Sequence, residues 1–331
     1  MTHPKILVTG GTGLLGSYVL RWLRQCGLTA LTATHQNPKA NIPEDLKEGI
    51  TWKSLVLPDA TGADEMIAGQ DWVIHTAGLI SYDRNAKDRM LEVNQKGTEH
   101  IVNACIQHWI KHLVYVSSIG ALGKEKDHVT LDDATPWIQN EFSTSYGLSK
   151  YLGELEVWRG AGEGLNVSVV LPSVILGSGD WNRSSLQIMD RVARKIGWYP
   201  GGQTGFVDVR DVSIFIVKIL QHYLSGERWL LSGGDMSYED LYARIGHYLN
   251  LAKKFSLAPK WLAKIYLFSS GLWQGKSLGD EILNHTYGTF SYDARKSRGL
   301  EGFEYRDLDT TLREMAEAFQ NGNSNQILAF D

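Results

Sequence analysis

Short runs of aliphatic and β-branched residues alternate along the chain with longer stretches whose apolar positions recur every three or four residues. Lys5–Thr9 reads as a strand, and Leu14–Cys26 as a helix with Leu15, Val19, Leu20 and Leu23 on one face. Further strands are predicted at Leu28–Thr34, Thr51–Leu55, Trp72–Thr76, His112–Ser117 and Val167–Leu171. Helices are predicted near Asp64–Ala68, Met90–Trp109 and Tyr146–Arg159. Strands alternating with helices build βαβ units and a parallel sheet covered on both faces. Beyond Leu171 the rhythm loosens. Helices near Asp211–Leu224 and Tyr238–Leu249 flank a strand-like Trp229–Leu231, while Gly177–Asn182 and Gly197–Gly205 read as loops. The expected architecture is α/β: a Rossmann-type doubly wound parallel sheet over residues 1–171. A smaller, mostly helical substrate lobe over 172–331 returns to that sheet and covers its carboxyl edge, where open α/β sheets bind ligands.

Composition narrows the class of function. The chain has 331 residues, 43% of them hydrophobic, enough for one large domain or two moderate ones. A net charge of −4 gives no overall attraction to nucleic acid or anionic membrane. Two cysteines, Cys26 and Cys105, suggest structural residues in a reducing, cytoplasmic setting. The amino terminus does not read as a signal peptide, and no stretch reaches the ~20 apolar residues of a membrane span. Trp261–Trp273 is apolar but interrupted by Lys264, Ser269, Ser270 and Gly271; it reads as a helix packed on the protein or lining a pocket, with contact to a membrane surface the less favoured reading. Asn321–Asn325 reads as a polar tail, and no metal site is expected.

Thr9-Gly10-Gly11-Thr12-Gly13-Leu14-Leu15-Gly16 follows the first strand and opens the first helix, the context of a dinucleotide fingerprint. Gly10, Thr12, Gly13, Leu14, Leu15 and Gly16 would hold the pyrophosphate against the helix N-terminus. At the end of the second strand, Thr32-Ala33-Thr34-His35-Gln36-Asn37 carries no carboxylate to hold a ribose 2′-hydroxyl or repel a 2′-phosphate. That favours NADP over NAD, with His35 as the phosphate contact.

Tyr146-Gly147-Leu148-Ser149-Lys150 sets a phenol and an ammonium four residues apart on one helix face. A phenol is a poor acid–base group near neutral pH unless a neighbouring cation stabilises its anion. Lys150 can do that and also hold ribose hydroxyls. The strand His112–Ser117 ends in Ser117-Ser118, where a hydroxyl at the carboxyl edge can polarise a carbonyl.

With these motifs the sequence resembles the extended short-chain dehydrogenase/reductase family, which holds sugar-nucleotide epimerases, dehydratases and dihydroflavonol reductases. The resemblance runs from Lys5 to about Glu317. It includes His75-Thr76-Ala77-Gly78, Val93-Asn94-Gln95-Lys96-Gly97-Thr98, Pro172–Gly177 and Phe206-Val207-Asp208-Val209-Arg210-Asp211-Val212. The resemblance implies that Ala77 and Gly78 line the cofactor and that Asn94 supports the active-site helix. It makes Ser118 the catalytic hydroxyl beside Tyr146 and Lys150, and sets Pro172 and Val174 beside the nicotinamide. One departure is Ser54-Leu55-Val56-Leu57 where many members carry Gly-Asp-Leu, so the adenine contact is left unassigned.

Leu171-Pro172-Ser173-Val174-Ile175-Leu176-Gly177 lacks the arginine and asparagine that sugar-nucleotide members carry there, and is closer to dihydroflavonol-reductase-like enzymes. Ile119 and Gly120 stand where dehydratases place an Asp-Glu pair. The expected function is hydride transfer between NAD(P) and a carbonyl or secondary alcohol of a small apolar or aromatic substrate. Leu79, Ile80, Tyr82, Trp181, Trp198, Tyr199 and Phe206 are the pocket candidates. The alternatives are a sugar-nucleotide epimerase that keeps its NAD and a non-catalytic dinucleotide sensor, the latter disfavoured by an intact proton donor. By family analogy, a homodimer would form through Met90–Trp109 and Tyr146–Arg159.

Overall fold

Ile6, Leu7 and Val8 are fully buried although they point to alternate faces, because a parallel strand is covered on both sides. They belong to the first strand of a computed structural model described for residues 3–36, 42–81, 86–125, 130–182, 184–194, 197–269, 276–322 and 327–330. The early strands are β1 (Ile6–Thr9), β2 (Leu31–His35), β3 (Ile50–Ser54), β4 (Trp72–His75), β5 (His112–Val116) and the short β6 (Thr130–Leu131). Then come β7 (Val167–Pro172), β8 (Val174–Leu176), β9 (Trp198–Tyr199), β10 (Gln203–Asp208) and β11 (Glu227–Leu231). The last are β12 (Gly234–Ser237), β13 (Ser256–Leu257) and β14 (Ser291–Tyr292). Seven strands form one all-parallel sheet in the order β11-β7-β5-β4-β1-β2-β3, a doubly wound Rossmann-type arrangement.

The first helices are α1 (Leu14–Gln25), α2 (Glu44–Lys47), α3 (Ala60–Ile67), α4 (Lys87–Leu91), α5 (Gly97–Gln107) and α6 (Ser145–Gly162). They are followed by α7 (Gln187–Ala193), α8 (Val209–Gln221), α9 (Tyr238–Tyr248), α10 (Lys260–Ser269), α11 (Lys276–Tyr287), α12 (Arg295–Arg298) and α13 (Leu308–Gln320). α1 buries Leu15, Tyr18, Val19, Leu20 and Leu23 and packs on α8 over one face of the sheet. Its carboxyl end is closed by Gly27 N–H to Arg24 and Leu28 N–H to Leu23, the pairing that satisfies orphan terminal carbonyls. α5 packs between α3 and α6 over the other face. One core cluster joins Ile6 and Val8 to Val209, Phe215 and Met315; the other gathers Leu7, Val73, Ile101 and Val157. Segments on both sides of residue 171 therefore share the larger core, and β11 returns to the sheet beside β7.

Two differences from the sequence expectations have physical causes. Gly197–Gly205, read as a loop, contains β9 and the start of β10, whose ladder partners lie far away at Ser256 and at Met236 and Ser237. Cys105 is buried as expected, whereas Cys26 sits exposed at the end of α1. Of the apolar stretch Trp261–Trp273, residues 260–269 form α10; 270–275 lie outside the described residues, as do Asn323–Asn325 of the polar tail. Among the described residues no helix is long and apolar enough to cross a membrane. The Val-Asp-Val-Arg-Asp-Val motif has a structural role: Arg210, only 1% exposed, pairs with Asp208 and Glu314, while Asp211 pairs with Arg306, tying α8 to α13 and the segment before it.

Candidate active site

The carboxyl ends of β1 and β4 meet at the glycine turn, where Thr76 Oγ1 donates to Thr9 O and Ala77 N–H to Thr9 Oγ1. A side-chain carbon on Gly16 would stand 2.3 Å from the Gly10 carbonyl oxygen, so only glycine lets α1 start this close to the turn. Gly13 caps α1 in an extended conformation, and no side chain caps the helix. The helix N-terminus thus keeps N–H donors and a partial positive charge for an anion. Gly11 N–H donates to Thr34 O at 2.9 Å and Gly10 N–H to Thr34 Oγ1 at 3.1 Å, fixing the turn to β2. His35 ends β2 with its ring 6.5 Å from that of Trp52, and its Nδ1 is buried without a hydrogen-bond partner. That unsatisfied atom and the empty helix cap fit a phosphate-bearing dinucleotide. Leu55 and Leu57, in the departing adenine-side segment, turn into the core, while Val56 faces out at 44% exposure.

β4 delivers the second wall. His75 is fully buried, with Nδ1 2.7 Å from Thr9 Oγ1 and Nε2 3.1 Å from Thr98 Oγ1. Thr98 gives its own proton to Asn94 O, and Thr9 Oγ1 accepts from Ala77 N–H, so the network assigns a neutral Nε2–H imidazole. Burial, aided by the Lys150 charge, lowers the His75 pKa to about 3. Asn94 sits in a π-helical turn at Glu92–Lys96, which aims its amide inward. The amide accepts from Leu79 N–H at 2.7 Å and donates to Leu79 O at 2.8 Å and Ser149 Oγ at 2.9 Å. Asn94 thereby clamps the Ala77–Ile80 strip to the start of α6.

α6 begins at a Thr144 cap whose hydroxyl accepts from Gly147 N–H. A side-chain carbon on Gly147 would meet Gly120 O at 2.2 Å, so glycine is required where α6 touches the turn after β5. A side-chain carbon on Gly120 would in turn lie 3.4 Å from Ser118 Oγ and 3.6 Å from Tyr146 Cδ1, so both side chains border this turn. Ser118 Oγ accepts from Gly120 N–H at 3.0 Å, which leaves its O–H free to donate outward. Ser117, by contrast, is buried and gives its proton to Glu154. Lys150, one turn beyond Tyr146 and 4% exposed, donates to Val116 O at 2.7 Å and lies 5.0 Å over the Tyr115 ring. Burial lowers its pKa to about 8 against the opposing pull of Glu154.

Glu154 is a site neighbour that the sequence reading missed. It lies one turn past Lys150, binds Ser117 and Trp158, and pairs with Arg228 of β11 at 2.7 Å. Its i+4 spacing from Lys150 was the available signal. Above the turn, Ser145 N–H donates to Glu281 at 3.0 Å, which fastens α11 to the start of α6. Pro172 is buried at the end of β7 and Val174 half-buried in β8; Leu14 meets the loop at Gly177 and Gly179.

The pocket candidates divide. Leu79 is half-buried and Ile80 exposed beside the clamped strip. Phe206 lies in the core, as do Trp181, packed on Phe319, and Tyr199, packed on Tyr242. Trp198 is 46% exposed on β9. Tyr82 lies outside the described residues.

The model of the NAD dependent epimerase/dehydratase family matches residues 6–231. The chain is similar to tetraketide alpha-pyrone reductase 2 of Arabidopsis thaliana, 32% identical over 255 residues covering 69% of this chain and 75% of the relative. It is also similar to cinnamoyl-CoA reductase 1 of Petunia hybrida, 28% identical over 284 residues, or 80% and 84% of the two chains. In fold it matches the structure of a nucleoside-diphosphate-sugar epimerase from Pseudomonas aeruginosa. That match has a TM-score of 0.77 and 23% identity, and covers 98% of this chain and 99% of the other.

Proposed function

The chain belongs to the NAD dependent epimerase/dehydratase family, and on that premise we propose that it is an NADP-preferring reductase of small apolar or aromatic carbonyl compounds. The single observation that carries the reading is the convergence of Ser118, Tyr146 and Lys150 around Gly120 and the end of β5. The reductase names of the two sequence relatives support it over sugar epimerisation. So does the character of β7 and β8, where Leu171 is fully buried and Val174 offers no hydrogen bond to a sugar.

The nicotinamide, when bound, supplies or accepts the hydride. The chain's own groups manage the oxygen. A carbonyl oxygen set between Ser118 Oγ and the Tyr146 hydroxyl receives two hydrogen bonds as its charge grows. Tyr146 then gives up its proton, and Lys150 stabilises the phenolate left behind. In the reverse direction the same phenolate takes the alcohol proton. Gly10, Thr12, Gly13, Leu14, Leu15 and Gly16 would hold the pyrophosphate, Ala77, Gly78 and Lys150 the ribose side, and Pro172 and Val174 the nicotinamide. The buried, unpartnered Nδ1 of His35 supports a 2′-phosphate contact. Asn94 acts indirectly, through Leu79 and Ser149.

Titration of the purified protein with NADPH and NADH, followed by fluorescence, tests the cofactor assignment. NADPH is expected to bind about tenfold more tightly, the worth of one charge-assisted hydrogen bond. Oxidation of the bound NADPH on adding aromatic or aliphatic ketones and aldehydes tests the activity. Tighter binding of NADH would remove the His35 assignment, and no carbonyl-dependent oxidation across the panel would remove the reductase reading.

A further inference from the structure

Between Asp240 and Asp280 the sequence contains no carboxylate but six basic residues, Arg244, Lys253, Lys254, Lys260, Lys264 and Lys276, on a chain whose net charge is −4. Among the described residues, the same segment carries a group of exposed large apolar side chains. Leu257 is 54% exposed, Trp261 64% and Ile265 55%, and Trp198, on the strand paired with β13, is 46% exposed. On α10, Trp261 and Ile265 stand one turn apart on the outer surface, with Lys260 and Lys264 one turn apart beside them. Lys253 and Lys254 are exposed before β13, and a side-chain carbon on Gly197, next to Trp198, would lie 2.9 Å from Lys253 Nζ.

We propose that this corner, β9, β13 and the outer face of α10, is a docking surface for an anionic lipid bilayer. A tryptophan and aliphatic stripe bordered by lysines matches the headgroup boundary. There the apolar side chains enter the acyl edge, and the lysine stems extend to keep their ammonium groups among lipid phosphates. Glu239, bonded to Tyr199, and Asp280, beside Lys264, lie at the border of this corner, but residues 241–279 carry no carboxylate, which lowers the repulsion that the rest of this acidic chain would meet at such a surface. A second copy of the chain is the poorer occupant. A two-fold contact through this face would bring Lys260 towards its own copy, while Asp280 already offsets Lys264. α10 packs on α11, Lys264 lies 3.5 Å from Asp280, and α11 reaches Ser145 through Glu281. The bilayer would therefore lie one helix away from the start of α6. This docking is independent of the reductase reading.

The test is cosedimentation of the whole chain with phosphatidylcholine vesicles, with and without phosphatidylserine, at low and high salt. The protein is expected to pellet with the phosphatidylserine vesicles and to be released by salt. The double variant Trp261→Glu/Ile265→Glu should pellet about tenfold less. Both side chains are exposed, so its melting temperature and dinucleotide affinity should match the wild type. Failure of the wild type to pellet would overturn the proposal, and so would unchanged pelleting of the variant. A concentration-dependent dimer lost in the variant would assign the face to a second copy instead.

Discussion

Tyr146→Phe is expected to lower turnover by about 10³-fold, roughly 4 kcal/mol, while NADPH affinity stays within a factor of two or so. The asymmetry follows from what holds the residue. The start of α6 is fixed by the Thr144 cap, by Ser149 Oγ donating to Tyr146 O at 2.7 Å, and by the close contact of Gly147 with Gly120. None of these uses the phenolic oxygen. A phenyl ring therefore fills the same half-buried place, and the pyrophosphate turn at Gly10–Gly16 is untouched. What is lost is the proton donor and one of the two hydrogen bonds on the carbonyl oxygen. Steady-state turnover together with a binding titration checks this. A variant that turns over at the wild-type rate would show that the proton comes from another group.

Acid is expected to unfold the protein through two buried, neutral histidines. His75 is fully buried and burial lowers its pKa to about 3; His112, 1% exposed, is lowered by burial to about 4. An unfolded histidine titrates near 6.5, so between these values the unfolded chain binds protons that the folded chain refuses. The stabilisation is complete above pH 6.5 and is lost as the pH falls towards 4 and 3. At pH 5 each group costs about 2 kcal/mol relative to neutral pH. The hydrogen bonds explain the refusal. Ser168 donates to Leu224 O, so the His112 Nε2–H donates to Ser168, and its Nδ1 is buried without a partner that could accept a second proton. In His75 a second proton would set two donors against each other at Thr9. Asp211 works the other way: burial and the neighbouring Asp208 raise it to about 6, which offsets part of the acid loss. Urea unfolding at pH 7 and pH 5 measures the sum, and His112→Asn should flatten the difference by about 2 kcal/mol. An unchanged difference in that variant would contradict the assignment.

The fold was legible because its signals are local. A glycine turn between a strand and a helix, and a phenol and an ammonium one turn apart, are both set by neighbours in sequence. Legibility fails where a partner is distant. Glu154 meets Arg228 across the sheet, and Glu281 of α11 meets Ser145 of α6. The short strands within Gly197–Gly205 exist only because Ser256, Met236 and Ser237 pair with them. Aromatic residues give the least local information. Trp181, Tyr199 and Phe206 looked like pocket walls and pack in the core, whereas Trp198 and Trp261 face outward. The sequence pattern cannot separate these cases, since a large apolar side chain fills a core, a pocket or an interface with the same composition.

The most direct measurement is transfer of deuterium from NADPH labelled at nicotinamide C4 to a carbonyl compound that the protein turns over. Direct hydride transfer is expected to place one deuterium on the carbinol carbon of the alcohol product, with one NADP formed for each alcohol. Deuterium that never leaves a tightly retained cofactor for any carbonyl, while a sugar nucleotide is interconverted without net cofactor oxidation, would contradict it.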